Sequence, residues 1–260
     1  MEASQFVGLA RHISARLTRR TGFGLLAGAS LPFLGLITDS NAKKKKKITL
    51  CFNGQAVKKS KKKARKLAKK GATRGNCEPL RCGNGGPCTV FVTSIEFTGA
   101  ELAGLSGGDA KCQAVADGAS LPGTFKAWLS EGSQSPKTRF TNIAKAGPYH
   151  LVANASDGGN PPPLVATDFA DLTTCPSGIC LQHAIDRNQN GELSLSSVWT
   201  GTLADGDAAD NTCLGWTSAG DFEFGVIGGT DKINADWTGT TTFSFVCAAT
   251  EPIYCFQQAT

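Results

Sequence analysis

Histidine is nearly absent from this chain: beyond residue 42 only His150 and His183 occur. A Ser/His/Asp arrangement needs its histidine beside a nucleophile and an orienting acid, and neither histidine lies in a nucleophile motif. Each is therefore expected as a structural or surface residue. There is also no CxxC pair and no Cys/His cluster, so the ten cysteines offer no zinc site. In a chain of 260 residues they point instead to disulfides and an oxidising compartment. Long apolar runs are missing apart from Thr21 to Thr38, and that run contains Gly22, Gly24, Gly28, Pro32 and Gly35, which argues against a stable membrane span. Acidic residues are missing from Lys43 to Asn76, where fifteen Lys or Arg stand.

From Cys77 onward the balance reverses, with eight basic residues against nineteen acidic ones. The formal +6 of the whole chain thus conceals an arm of +15 and a domain of −11. With 40% hydrophobic and 18% charged residues, one sizeable core and an appended segment are expected. Residues 1–42 read as an export signal: Arg11, Arg16, Arg19 and Arg20 precede the uncharged run, and Ser40-Asn41-Ala42 supplies small residues for cleavage. Thr18-Arg19-Arg20 followed by Phe23 resembles a twin-arginine signal with its aromatic residue one place late, so the general secretory route stays open. A secreted or extracytoplasmic cell-surface location follows.

Residues 43–78 read as a small basic module. Ser60 can cap a helix whose Ala64, Leu67 and Ala68 form a thin apolar strip, and Gly71 can end it. Cys51 and Cys77 flank that helix, and the pattern from Leu50-Cys51 through Gly71-Ala72-Thr73 to Cys77 resembles a cysteine-closed module of secreted bacterial proteins. A Cys51–Cys77 bridge would contribute about 3 kcal/mol in the loop-entropy model. Lys58, Lys59, Lys62, Lys66 and Lys69 are the candidate contacts to an anionic cell-wall polymer or membrane surface, an attraction that salt would screen. A solvated tether is the alternative. Nucleic acid is disfavoured as a partner, because Phe52 alone is available for stacking. Residues 79–88 form a glycine-rich linker in which Cys82 and Cys88 can close a tight local loop.

Residues 89–260 carry the main domain. Thr89 to Phe97 alternates as a strand, with Val90, Val92 and Ile95 on one side. A short helix with a small-residue face of Ala110, Ala114, Val115 and Ala116 around Cys112 is expected, its first turn capped by Asp109 and its end near Gly118. Phe125, Ala127 and Leu129 then alternate with Thr124, Lys126 and Trp128 as a strand. Phe140 to Thr174 reads as loop, with a short helix at Asp168 to Leu172. Cys175 and Cys180 enclose four residues and suit a local bridge.

The helix and strand of 104–131, together with Val198-Trp199-Thr200-Gly201-Thr202, Asp205-Gly206, Cys213-Leu214-Gly215-Trp216 and Ile253-Tyr254-Cys255-Phe256, resemble the endostatin-like branch of the C-type-lectin-like fold. The resemblance covers about residues 88 to 257 and includes bacterial secreted domains of largely unassigned role. It implies an α+β, disulfide-linked domain in which the first strand pairs near the C-terminal one, Cys112 bridges to Cys255, and Cys213 bridges to Cys247. The residues alone permit many other pairings. Endostatin's zinc ligands have no histidine counterparts here, and the calcium and sugar tripeptides of true C-type lectins are absent.

Asp186-Arg187-Asn188-Gln189-Asn190-Gly191 fits the first half of a calcium loop, with Asp186, Asn188 and Asn190 as ligands. Position twelve of that frame is Ser197, so the closing carboxylate is missing and a hairpin turn at Asn190-Gly191 is the competing reading. No cofactor is expected, with calcium as the exception to test. Trp128, Trp199 and Trp216 read as core. Trp237, flanked by Asp231, Asn234 and Asp236, has the makings of a sugar platform, against which core burial competes. The functional expectation is a non-catalytic binding or adhesion module for a glycan or extracellular protein. The alternatives are a structural envelope protein and, remotely, a hydrolase using Asp205, Asp207, Asp210, Asp221 and Glu223.

Overall fold

The structure, a computed structural model, describes residues 46–53, 55–77, 80–240 and 243–260. The export signal assigned to residues 1–42 lies outside the described residues. The elements run β1 (Lys47–Phe52), β2 (Gln55–Ser60), α1 (Lys61–Ala68), β3 (Thr73–Arg74), β4 (Cys88–Val92), α2 (Gly104–Gly118), β5 (Phe125–Ala127), α3 (Pro136–Arg139), β6 (Tyr149–Leu151), β7 (Leu164–Ala166), α4 (Phe169–Thr173), β8 (Ser197–Trp199), β9 (Phe224–Gly229), β10 (Ser244–Val246) and β11 (Tyr254–Gln257), with short 3-10 turns between them. The architecture is mixed α+β with five disulfides: Cys51–Cys77, Cys82–Cys88, Cys112–Cys255, Cys175–Cys180 and Cys213–Cys247. Such a set fits an extracellular or oxidising environment. No helix of the described residues is long and apolar enough to cross a membrane.

The central five-stranded sheet has the order β5-β11-β4-β6-β7. Its middle strand β4 pairs antiparallel with β11, Tyr254 opposite Val92 and Phe256 opposite Val90, so the two ends of the domain meet. The period-two alternation of these strands feeds two cores. Val90, Val92, Trp128, Tyr254 and Phe256 pack on one face. Phe91, Phe125, Ala127, Leu129, Ile253 and Cys255 pack on the other, beneath α2.

Helix α2 lies on the sheet along Leu105, Gly108, Cys112 and Ala116. This differs from the expected face, since Ala110 and Ala114 are exposed. The reason is the close approach at Gly108, where a Cβ would stand 2.7 Å from Leu129 Cδ1. Asp109 is likewise not a cap. Its Oδ1 accepts from the Ala127 amide at 2.9 Å and from Arg139 at 2.6 Å, tying α2 to β5 and α3.

Strand β4 ends at Val92, and Ile95 is 53% exposed rather than on the buried side. The Thr93 hydroxyl donates to the Ile95 carbonyl at 2.7 Å and turns the chain outward. The segment 140–174 is not all loop: β6 pairs parallel with β4, and β7 antiparallel with β6. Three-residue strands leave too few positions for a period to show in sequence, and it is pairing, of β6 with β4 and of β7 with β6, that makes them strands. Asp168 does cap α4, accepting from the Asp171 amide at 2.9 Å.

The basic segment folds around its own small core. Leu50, Ala64 and Ala72 are buried, the sheet β2-β1-β3 backs α1, and Cys51–Cys77 closes the unit.

Candidate ligand-binding groove

The second sheet, in the order β10-β9-β8, carries an open groove of about 540 Å³. Leu195, Ser196 and Ser197 lead into β8 on one wall, Ile227 to Gly229 of β9 form the base, and Asp231, Lys232, Asp236, Phe243 and Phe245 complete the rim. The groove depends on Gly228. A Cβ there would stand 2.1 Å from the Trp237 carbonyl oxygen, so only glycine lets the 235–237 turn seat on β9.

The rim mixes carboxylate and aromatic surface. Lys232 Nζ donates to Asp231 Oδ2 at 2.8 Å, a bond that lowers the aspartate's pKa and raises the lysine's. Asn234 Nδ2 donates to Asp236 Oδ2 at 3.0 Å. Phe243 and Phe245 are 55% and 40% exposed. Three of the four residues singled out from sequence, Asp231, Asn234 and Asp236, thus lie on one loop, two of them in the groove wall.

Trp237 is the exception. Its indole is fully buried, 4.9 Å from the Trp128 ring and 5.7 Å from Tyr254, so it offers no exposed face for stacking. The exposed aromatic surface belongs to Phe243 and Phe245, which sequence reasoning missed. Their signal is Phe243-Ser244-Phe245, two aromatics two residues apart on an edge strand, with Phe245 opposite Gly225 and so without a side chain covering it.

The residues proposed for calcium build a hairpin. Asn188 donates its amide to the Glu192 carbonyl at 2.9 Å, and Gly191 donates back to Asn188 at 2.9 Å. Positive φ falls on Gly191, at 78°, and not on Asn190, so the turn is the three-residue type that ends in a left-handed glycine rather than the two-residue Asn-Gly type expected. Asn188 Oδ1 accepts from the Asn190 and Glu192 amides at 2.9 and 3.1 Å, which occupies the oxygen a cation would need. Asp186 Oδ1 is buried without a hydrogen-bond partner, 3.9 Å from His183 Nδ1. No group of three or more His, Cys, Asp or Glu suited to a metal occurs among the described residues.

His150 and His183 each place Nδ1 2.8 Å from a backbone carbonyl, of Pro162 and Ala184 respectively. The acidic loop residues are used locally: Asp207 pairs with Lys137 at 3.0 Å, Asp205 accepts from the Asp207 amide, and Glu223 accepts from the Ser218 hydroxyl. On the basic segment Lys58, Lys59, Lys62, Lys66 and Lys69 are all exposed, and no salt bridge engages them among the described residues. Lys62, Lys66 and Lys69 share one face of α1 and its C-terminal end with Arg65, opposite buried Ala64.

Fold and groove together define a disulfide-rich α+β protein with an open, part-aromatic, part-acidic surface cleft. The chain matches no protein-family model and no curated protein.

Proposed function

We propose that this is an exported, non-catalytic binding module of C-type-lectin-like, endostatin-like type, which recognises a glycan or extracellular protein through the β8–β10 groove. The observation that carries the reading is the groove rim, where the exposed rings of Phe243 and Phe245 stand with the carboxylates of Asp231 and Asp236. Aromatic faces stack on the apolar side of a sugar or peptide, while carboxylates accept from hydroxyls or amides. Support for the fold assignment comes from the β4–β11 pairing and from the two long-range bridges, Cys112–Cys255 and Cys213–Cys247, which are those the resemblance implies.

The basic segment acts as a second, charge-based attachment to an anionic polymer or membrane surface. Its folded, disulfide-closed form favours this over a solvated tether, because Lys62, Lys66 and Lys69 are fixed with Arg65 on one side of a helix. Glycan and extracellular-matrix arrays probed with the protein, and with Phe243→Ala/Phe245→Ala, test the groove. Retention of a ligand by the wild type and its loss in the variant is the expected result. Silence of both on every array returns the protein to a structural envelope role.

A further inference from the structure

The two sheets of the main domain have four outer edges, formed by β5, β7, β8 and β10. Three are engaged by other parts of the chain. On β5 the Phe125 and Ala127 amides donate to Gln113 Oε1 and Asp109 Oδ1, each at 2.9 Å, and Arg139 donates to the Ala127 and Leu129 carbonyls. On β7 the Val165 carbonyl accepts from the Gln182 amide at 2.9 Å, and on β8 the Trp199 amide donates to the Pro252 carbonyl at 2.9 Å. Strand β10 differs. The Phe243 carbonyl accepts from the Ile227 amide at 3.2 Å and the Cys247 amide donates to the Glu223 carbonyl at 2.9 Å, which sets the phase of the ladder. Phe243, Phe245 and Cys247 bond towards β9, and Ser244 and Val246 aim their backbone groups away from it. The Val246 carbonyl accepts from the Ala249 amide at 3.0 Å, but the Ser244 amide and carbonyl and the Val246 amide have no partner among the described residues. An open edge is a template for another strand, which proteins usually blunt with charge or proline. The edge strand β2 of the basic segment carries Lys58 and Lys59 in this way. Phe243-Ser244-Phe245-Val246 has neither charge nor proline.

We propose that β10 takes an extended, basic polypeptide segment of another protein as a fourth strand of its sheet. This rests on the reading of the groove as a ligand site and names its ligand class, protein rather than glycan. The main chain of the segment bonds to Ser244 and Val246, and its alternate side chains lie beside the exposed rings of Phe243 and Phe245 on the groove face. Charge selects the segment. The main domain carries −11, and in the groove wall Asp231 and Asp236 stand against the single cation Lys232, so a Lys or Arg over the phenylalanine rings meets both an aromatic face and a negative field. Charge and area both weigh against a second copy of this chain as the occupant. Pairing β10 with itself would bring two domains of −11 together. A stable dimer buries about 800 Å² per partner, whereas the exposed parts of Phe222, Phe224, Phe243 and Phe245 amount to roughly 500 Å². A single added strand needs less, because its main-chain hydrogen bonds supply much of the attraction.

The test is calorimetric titration and amide-exchange NMR with a short synthetic peptide of alternating valine and lysine. Its controls are a peptide of alternating valine and glutamate, and the lysine peptide with every amide N-methylated. Proteins compared are the wild type, Ser244→Pro and Phe245→Ala. The lysine peptide is expected to bind and the two controls not, and the Ser244 and Val246 amides to exchange about tenfold more slowly in the complex. Ser244→Pro removes an amide that points away from β9, so it should keep the melting temperature and weaken the peptide about tenfold or more. The N-methylated peptide asks the same question of the unaltered protein. Equal binding of the methylated and unmethylated peptides overturns strand addition and leaves attraction by charge alone. Binding lost in Phe245→Ala but kept in Ser244→Pro overturns the edge and leaves the groove standing. A wild-type dimer in analytical ultracentrifugation that Ser244→Pro dissolves overturns the proposal in favour of a second copy. No binding of any peptide by the wild type also overturns it, while the groove then stands or falls with the arrays.

Discussion

Asp109 and Arg139 meet at 2.6 Å with the arginine side chain only 8% exposed, and this pair fastens the long helix to the strand beneath it. Arg139 also donates to the Leu129 carbonyl at 2.6 Å, and Asp109 accepts the Ala127 amide, so the two side chains satisfy backbone groups at the end of β5. Removing one partner leaves a buried guanidinium uncompensated. Asp109→Asn is expected to destabilise the domain by about 3 kcal/mol. Urea unfolding followed by tryptophan fluorescence measures it, and a loss under about 1 kcal/mol would place the pair among ordinary surface bridges.

Glu251 gives the fold a pH dependence. Burial, with Glu96 nearby, raises its pKa from 4.5 to about 7. The native state therefore binds this proton more tightly than the unfolded chain does. The contribution of this group to stability is fullest below pH 4.5, falls as pH rises through about 7, and is absent above. Glu251→Gln should raise the melting temperature at pH 8.5 and leave it unchanged at pH 4.5. An equal effect at both pH values would remove ionisation as the cause.

Four consecutive residues, Cys213 to Trp216, have φ between 51° and 70°. The left-handed region costs a residue with a Cβ roughly 1 kcal/mol, and here the Cys213–Cys247 bridge and the Trp216 indole, donating to the Ser130 carbonyl at 2.9 Å, hold it in place. Leu214 contributes nothing in return, being 70% exposed. Leu214→Gly is expected to stabilise by roughly 1 kcal/mol, since glycine adopts this conformation freely. A lower melting temperature would mean that the greater freedom of glycine in the unfolded chain outweighs the relieved backbone strain.

The basic segment should bind by charge. Replacing Lys58, Lys59, Lys62, Lys66 and Lys69 by Gln, which leaves ten of the fifteen cations in place, is expected to weaken co-sedimentation with vesicles containing phosphatidylglycerol and to reduce its salt dependence. About 1 kcal/mol per lysine near an anionic surface makes five a decisive change. Retention of the variant equal to that of the wild type at every salt concentration would locate attachment in the main domain.

Chelation tests the hairpin reading of Asp186 to Gly191. With Asn188 Oδ1 taken by two amides, the melting temperature should be the same in EDTA and in millimolar calcium. A calcium-dependent rise lost in Asp186→Ala would show that the loop opens to bind.

Local chemistry was legible from the chain alone. The Asp168 cap, the helix ending near Gly118, the helix over Lys61–Ala68 and the local bridges of Cys82–Cys88 and Cys175–Cys180 depend on neighbours a few residues away, which the sequence displays directly. Strands β6 and β7 were not legible, because three residues carry no usable period and it is pairing, of β6 with β4 and of β7 with β6, that makes them strands. Nor was the role of Asp109, which looks like a cap until Arg139, thirty residues later, folds back onto it. The same holds for the groove. Asp231 and Asp236 stood out through their neighbours, but whether an aromatic ring faces solvent depends on what packs over it. Trp237 is covered by Trp128 and Tyr254 while Phe245, opposite Gly225, is left open, and that difference arises only when distant segments are brought together in the tertiary structure.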